Sequence, residues 1–219
     1  MASTSTRPAP NLTPNTTPTR WTSKHTLWLL MGLIGISVLF STELPILHDR
    51  TGFNHDYLLK LLHDRRLLIP HALAGITAMF IGPTQFSSRL RRRHLQLHRI
   101  LGRIYVAAIF IAAPLAIAIS WGSDLIVGTA FQAGSWIFCT LMAFLLIRNR
   151  HIAQHRQWMI RSYAVTFTFI ALRALDFIPA YNQMSDHTAV LNILCVTAVS
   201  AYILPDIAFH WHDLTHRRA

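Results

Sequence analysis

Leu97–Tyr105 reads LHRILGRIY, and Gln154–Tyr163 reads QHRQWMIRSY. Each stretch carries His-Arg, a second Arg five or six residues after the histidine, and a Tyr two residues beyond that. Each stands at the entrance of a long apolar run, Ile104–Trp121 and Trp158–Ala180. A cation-rich phrase set against a run of hydrocarbon length marks a helix entering a membrane from a basic face. The rest of the chain can be read outward from these two phrases.

Composition points to lipid as the solvent. Of 219 residues, 52% are hydrophobic and 13% charged, where soluble domains carry about 25% charge. A hydrocarbon core of ~30 Å takes about 20 apolar residues in helix. Six segments approach or reach that length: Leu27–Leu47, Leu67–Phe86, Ile104–Trp121, Leu125–Ile147, Trp158–Ala180 and Ala189–Trp211. Hydrocarbon offers unpaired backbone groups no partner, and the period-two alternation of barrel strands is missing, so the spans are expected to be helical. The expected fold is all-α, a polytopic six-helix transmembrane bundle. Residues 1–24 read as a disordered Ser/Thr/Pro-rich tail, and 25–219 as a single six-span membrane domain. Leu27–Phe40 has the length of a signal-peptide core but no small-x-small cleavage site, so it reads as a retained first span. Pro70 is expected at the start of the second span, with Gly82-Pro83 breaking it near its end.

Basic residues set the direction. Arg7, Arg20 and Lys24 precede the first span; Arg89, Arg91, Arg92, Arg93, Arg99 and Arg103 follow the second; Arg148, Arg150 and Arg156 follow the fourth; Arg217 and Arg218 end the chain. With six spans all of these share one side. The other side has Arg50, Lys60, Arg65 and Arg66 interleaved with Asp49, Asp56 and Asp64. The positive-inside rule then places both termini in the cytoplasm. The net charge of +11 is divided among loops between apolar runs, which excludes a nucleic-acid-binding domain and suits anionic lipid headgroups at the cytoplasmic face of the bilayer. Cys139 and Cys195 lie inside apolar runs without paired spacing, and read as small buried hydrophobes. There is no glycine-rich phosphate loop, nucleophile elbow or Ser/His/Asp arrangement, and Gly122–Asp124 leaves no room for a catalytic domain outside the membrane.

Thirteen histidines are the chain's most concentrated chemistry. His98 and His155 open the two phrases at matched depth on two helices running the same way. One reading makes them the axial ligands of a b-type haem, with Arg99, Arg103, Arg156 and Arg161 pairing the propionates. That reading implies electron transfer with a redox partner the sequence does not identify. A second uses the i, i+4 pairs His94/His98 and His151/His155 to hold Fe or Zn in a membrane enzyme at the cytoplasmic face. A third is non-catalytic: a His/Arg belt serving packing and lipid contact, with Trp158 and Trp211 at the interface. His71, expected in the first turn of the second span, would be a neutral ring there, as ligand or core residue. Arg173 and Asp176, three apart, read as a structural intramembrane charge pair. Asp206 is placed to orient His210, four residues on. Small residues such as Gly128, Gly134 and Ser135 permit close helix packing.

HALAGITAMFIGPTQF, LHRILGRIY and HRQWMIRSYAVTFTFIALR together resemble the bacterial predicted membrane proteins of domain of unknown function 2306, over a family-like core of residues 67–179. The resemblance rests on His71, Gly75, Gly82-Pro83, Gln85-Phe86, His98-Arg99, Gly102-Arg103, His155-Arg156, Trp158-Met159, Arg161 and Arg173. It implies a multi-pass protein of a bacterial inner membrane and no particular reaction. The chain also resembles the cytochrome b561 architecture more distantly, with His71, His98 and His155 at the positions of haem ligands on the second, third and fifth helices. Leu125–Ile147 has no histidine to partner His71, so that resemblance implies a single haem, at the cytoplasmic side.

Overall fold

The computed structural model describes residues 55–175 and 185–215, and their regular elements are all helices. In chain order these are α1 (His55–Gln85), α2 (Ser88–Arg93), α3 (Leu95–Ile119), α4 (Ile126–Arg148), α5 (Ile152–Leu175), α6 (Asp186–Ala198), a π-helical turn (Val199–Ile203) and α7 (Leu204–Thr215). The expected tail, the first span and Asp176 lie outside the described residues, as does the side chain of Arg173.

Four helices close a ring. α1 packs on α3, α3 on α4, α4 on α5, and α5 returns to α1. This leaves α3 and α5, the carriers of the two phrases, on opposite corners. α6 leans on α4, while the π turn and α7 lean on α5. Among the described residues four stretches are long and apolar enough to cross a membrane: Arg66–Gln85, Leu95–Ile119, Ile126–Arg148 and His187–Trp211. They cover the expected second, third, fourth and sixth spans. α5, the expected fifth, is not among them; it is described only to Leu175, short of the expected end at Ala180, and its first half carries Gln154, His155, Arg156, Gln157 and Arg161.

The core is built for close approach. Ala78, Ala112, Ala113, Ala143 and Ala201 are fully enclosed around Tyr105, Ile109, Trp136 and Val165. In lipid, where apolar burial gives little net drive, such small residues gain dispersion contacts by bringing backbones together. Phe110, Ile111, Phe131, Phe138 and Leu191 point outward as a lipid-facing belt. At Gly128 an added Cβ would sit 3.3 Å from Ile193, so this glycine does bring α4 and α6 together; Gly134 meets nothing within 4 Å and does not. Cys139 is buried as expected, but Cys195 is exposed on the outside of the bundle.

Two of the sequence-based boundaries need correction. α1 runs unbroken through Pro70, so that proline starts nothing, and His71 sits mid-helix rather than in a first turn. The dipole argument for a neutral His71 therefore lapses. α1 also continues past Gly82-Pro83 to Gln85. Pro83 has no N–H for the carbonyl four residues back, that of Met79. The Tyr163 hydroxyl donates to that carbonyl instead, at 3.3 Å. Gly82 makes this possible, since a Cβ there would lie 2.3 Å from the Tyr163 ring and 3.2 Å from that of Tyr105. The expected break is thus a notch that receives the tyrosines ending both phrases.

The turn from α4 to α5 has a Schellman pattern. The His151 N–H donates to the Leu146 carbonyl at 2.9 Å, and the Arg150 N–H to that of Ile147 at 3.1 Å. This pattern places one residue in the left-handed region, usually glycine. Here it is Arg150, at φ 63°, at a cost of about 1–2 kcal/mol for a residue with a Cβ.

Candidate functional site

Between the opposite corners α3 and α5, at the end where their phrases begin, the bundle opens into a cavity of about 1250 Å³. Its volume exceeds the ~300–1,000 Å³ of ordinary small-molecule sites. His98 and His155 both line it. Apolar side chains, among them Val106, Phe144, Met159 and Ile160, form much of its wall. Among the described residues six arginines border it, Arg91, Arg99, Arg103, Arg148, Arg150 and Arg156, and no Asp or Glu does.

The two imidazoles are held differently. His155 Nδ1 lies 2.8 Å from the Ala143 carbonyl. A carbonyl only accepts, so Nδ1 carries the proton and the neutral ring keeps its lone pair on Nε2. The residue stands ahead of the apolar run that begins at Trp158, and its pKa is held below the ordinary 6.5. Burial is the main cause; the Ala143 bond opposes it, and the Arg91 charge adds to it. His98 Nδ1 is buried with no hydrogen-bond partner among the described residues. One turn along α3, Gly102 leaves space for Gln85, whose Oε1 would be 3.1 Å from a Cβ at that position.

The other expected site residues divide. Arg99, Arg103 and Arg156 reach the cavity, but Arg161 does not. Arg161 turns to the sixth span, where it pairs with Asp206 and donates to the carbonyls of Ala201 at 3.2 Å and Tyr202 at 3.3 Å. Arg161 also stacks near Trp158 and Phe209, 5.2 and 5.8 Å from their ring centres. Asp206 thus serves Arg161; His210 takes the Asp206 backbone carbonyl, at 2.9 Å, instead of its carboxylate. His71 donates through Nδ1 to the Ala112 carbonyl at 2.8 Å, tying α1 to α3 away from the cavity.

His94 and His151 occupy helix-entry positions. Their carbonyls accept from the N–H groups of His98 and His155, at 3.0 and 2.9 Å. Neither side chain lines the cavity, and both are exposed. Among the described residues no three His, Cys, Asp or Glu side chains come together to hold a metal. Of the four histidines expected to share a metal, the cavity thus takes His98 and His155, while His94 and His151, at the helix entries, face away from it.

Below the cavity lies a polar layer that the sequence reading missed. Tyr105 Oη bonds Ser162 Oγ at 2.9 Å and Thr166 Oγ1 at 3.2 Å. Thr140 Oγ1 joins Ser162 Oγ at 2.7 Å, and Trp136 Nε1 donates to Thr166 Oγ1 at 2.9 Å. Gln132 Nε2 donates to Thr168 Oγ1 at 2.8 Å. The network joins α3, α4 and α5 across the ring. Its sequence signal was a set of polar residues at helical spacing inside apolar runs: Ser162/Thr166 on α5 and Gln132/Trp136/Thr140 on α4.

These features define a helical membrane protein with a cation-rimmed, histidine-bearing cavity at one end of its core. The chain belongs to the family described as predicted membrane protein, domain of unknown function 2306, which it matches over residues 68–209. No curated protein and no solved structure matches it, and the likeness to cytochrome b561 gains no support from these comparisons.

For a b-type haem, the residues present fit in kind. Two imidazoles line one apolar cavity, one keeps a lone pair on Nε2 and the other has a buried nitrogen without a partner among the described residues, with guanidinium groups at the border.

Proposed function

We propose that this is a six-span protein of a bacterial inner membrane, with both termini in the cytoplasm, and that its cavity holds one b-type haem for electron transfer. The observation that carries the reading is that two imidazoles from opposite corners of the bundle line one arginine-bordered cavity, with no acid on it among the described residues. His98 and His155 are the residues that would hold the group, and Arg99, Arg103 and Arg156 would pair its propionates. Haem b supplies one-electron chemistry, at a potential set by its axial ligands, burial and hydrogen bonding.

The chain's own part is orientation and exclusion of water. The Ala143 carbonyl fixes the tautomer of His155 and raises the basicity of its Nε2. The hydroxyl layer around Tyr105 seals the inner end of the cavity and ties α3 to α5, which keeps the two histidine helices at a fixed separation. Absorption spectroscopy of protein expressed with a haem precursor tests the reading. Low-spin b-type bands are expected, lost in His98→Ala and His155→Ala and kept in His94→Ala and His151→Ala. Folded, colourless wild-type protein, or a normal spectrum in either cavity-histidine variant, would overturn it.

A further inference from the structure

Charge arithmetic leaves part of the cavity unexplained. Two propionates provide two negative charges. Among the described residues the border has six arginines and no acid. With Arg99, Arg103 and Arg156 set against those carboxylates, Arg91, Arg148 and Arg150 still have no anion among the described residues. These three come from α2, from the end of α4 and from the turn that follows it, so the sequence brings them to one rim from separate elements.

Arg150 is the telling member. It holds the left-handed position of a Schellman turn, where glycine is the unstrained choice. A strained non-glycine residue points to a use for its side chain, and Arg150 lines the cavity. Arg148 lies 6.0 Å from the Phe144 ring centre, also at the cavity wall. Next to these cations, exposed apolar side chains continue the rim: Leu95, Ile147 and Ile152 at 45%, 40% and 60% exposure. Cations and bare aliphatic surface side by side match one kind of ligand, an anion carried on hydrocarbon chains.

We propose that Arg91, Arg148 and Arg150 form a binding site for the phosphate headgroup of an anionic phospholipid, whose acyl chains lie along Leu95, Ile147 and Ile152. Arg150 is the specificity-determining residue, because its fork reaches the phosphate from a turn that closes the rim. The lipid covers the mouth of the cavity. The allotment of these three arginines rests on the haem reading, which takes the other three; the test below reads lipid binding and not haem, so the two can fail separately.

The test uses the purified full-length chain in neutral detergent, with dioleoyl phosphatidylglycerol, dioleoyl phosphatidylcholine and inorganic phosphate as separate probes. Retained lipid is read by native mass spectrometry and affinity by thermal shift. Phosphatidylglycerol should be retained and should raise the melting temperature, and salt should weaken its binding. Arg150→Gly removes the guanidinium while relaxing the turn, so this variant should fold at least as well as the parent. Its affinity for phosphatidylglycerol should fall by about tenfold, the loss expected for one charge-assisted contact. Arg148→Gln should lower it further in combination. Equal retention of the two lipids, or unchanged affinity in Arg150→Gly, would overturn the site. Equal stabilisation by inorganic phosphate alone would overturn the assignment to a lipid.

Discussion

The two phrases share their letters and differ in what they do. Along Leu97–Tyr105 the second arginine, Arg103, stays with its histidine on the cavity. Along Gln154–Tyr163 the corresponding Arg161 leaves the cavity for Asp206 and two backbone carbonyls. The cause is one residue. A helix turns about 100° per residue. Arg103, five residues after His98, stands about 140° around the helix from it, and Arg161, six after His155, about 240°. The tyrosines differ in the same sense: Tyr105 returns almost beneath His98, while Tyr163 is offset by about 80°. One tyrosine therefore enters the hydroxyl layer and the other reaches the Met79 carbonyl. What looks like a repeat is two half-sites joined to different neighbours.

The strongest way to break the comparison is at the point where the phrases meet. Both tyrosine rings press on Gly82, and Tyr163 is further held by its bond to Met79 and its edge contact with Phe86, 5.8 Å between ring centres. A methyl group 2.3 Å from a fixed ring leaves no room for small adjustments. Overpacking of a core costs about 1–3 kcal/mol, occasionally more, and Gly82→Ala should reach at least the upper end. Thermal unfolding in detergent measures it. Adding Tyr163→Ala should remove the collision, so the double variant should lose less than the two singles summed. Additive losses would mean that Gly82 and Tyr163 are independent.

The second prediction separates the two arginines. Arg161 is 12% exposed and makes two carbonyl bonds besides its ion pair. Arg161→Met should destabilise by about 2–3 kcal/mol, given ~1 kcal/mol or more for each hydrogen bond to a charged donor. Arg103→Met should stay within ~0.5 kcal/mol, as for exposed positions generally. Asp206 is 54% exposed, so solvent screens its half of the pair, and Asp206→Asn should cost no more than ~1 kcal/mol. In haem-loaded protein the order reverses: Arg103→Met should shift the reduction potential, and Arg161→Met should shift it less. Equal thermal losses for the two arginine variants would restore the repeat as a true repeat.

This contrast also marks what the sequence could convey. Apolar length and basic loops located the second, third, fourth and sixth spans because those properties belong to single segments. The cavity histidines and three of its arginines were legible for the same reason: they lie where a basic loop meets an apolar run. Helix entry was less legible. α3 starts at Leu95, ahead of the apolar run at Ile104, because His98, Arg99 and Arg103 are polar yet helical at a membrane mouth. Proline misled most. Pro70 and Pro83 read as boundaries, since a helix that passes through proline leaves a carbonyl unserved. At Met79 the missing donor is Tyr163, 84 residues away, and no local pattern announces it. The rule that would have found it is to seek a donor elsewhere in the chain for the carbonyl four residues before each helical proline.

A smaller effect is expected at the hydroxyl layer. Tyr105→Phe keeps the ring against Gly82 and removes only the hydroxyl shared with Ser162 and Thr166. Hydrogen bonds between membrane helices average ~0.6 kcal/mol and reach ~1.7, so a loss of about 1 kcal/mol is expected in the same unfolding measurement. Ser162 and Thr166 keep their other bonds, to Thr140 and Trp136, which limits the damage. A loss as large as that of Gly82→Ala would show that the layer, rather than the notch, joins the phrases.

The smallest effect is a dependence on pH, and it comes from the way the second phrase holds His155. In the folded protein His155 has a pKa below the ordinary 6.5, chiefly because it is buried, with the Arg91 charge adding to that, while its Nδ1 proton is already engaged by Ala143. The unfolded chain therefore binds the additional proton more readily, and stability rises with pH across this interval. The contribution is complete above the unfolded value of about 6.5 and is lost as pH falls toward the folded value. Haem-free protein should thus melt progressively lower as pH falls below about 6.5, with a shallow slope because the ring is partly open to solvent. His155→Gln can still donate to the Ala143 carbonyl and has nothing to titrate, so it should flatten that slope while keeping the melting temperature near neutral pH. If His155→Gln leaves the slope as steep as in the parent, the slope belongs to other groups of the basic face, and the cavity gives His155 no special standing.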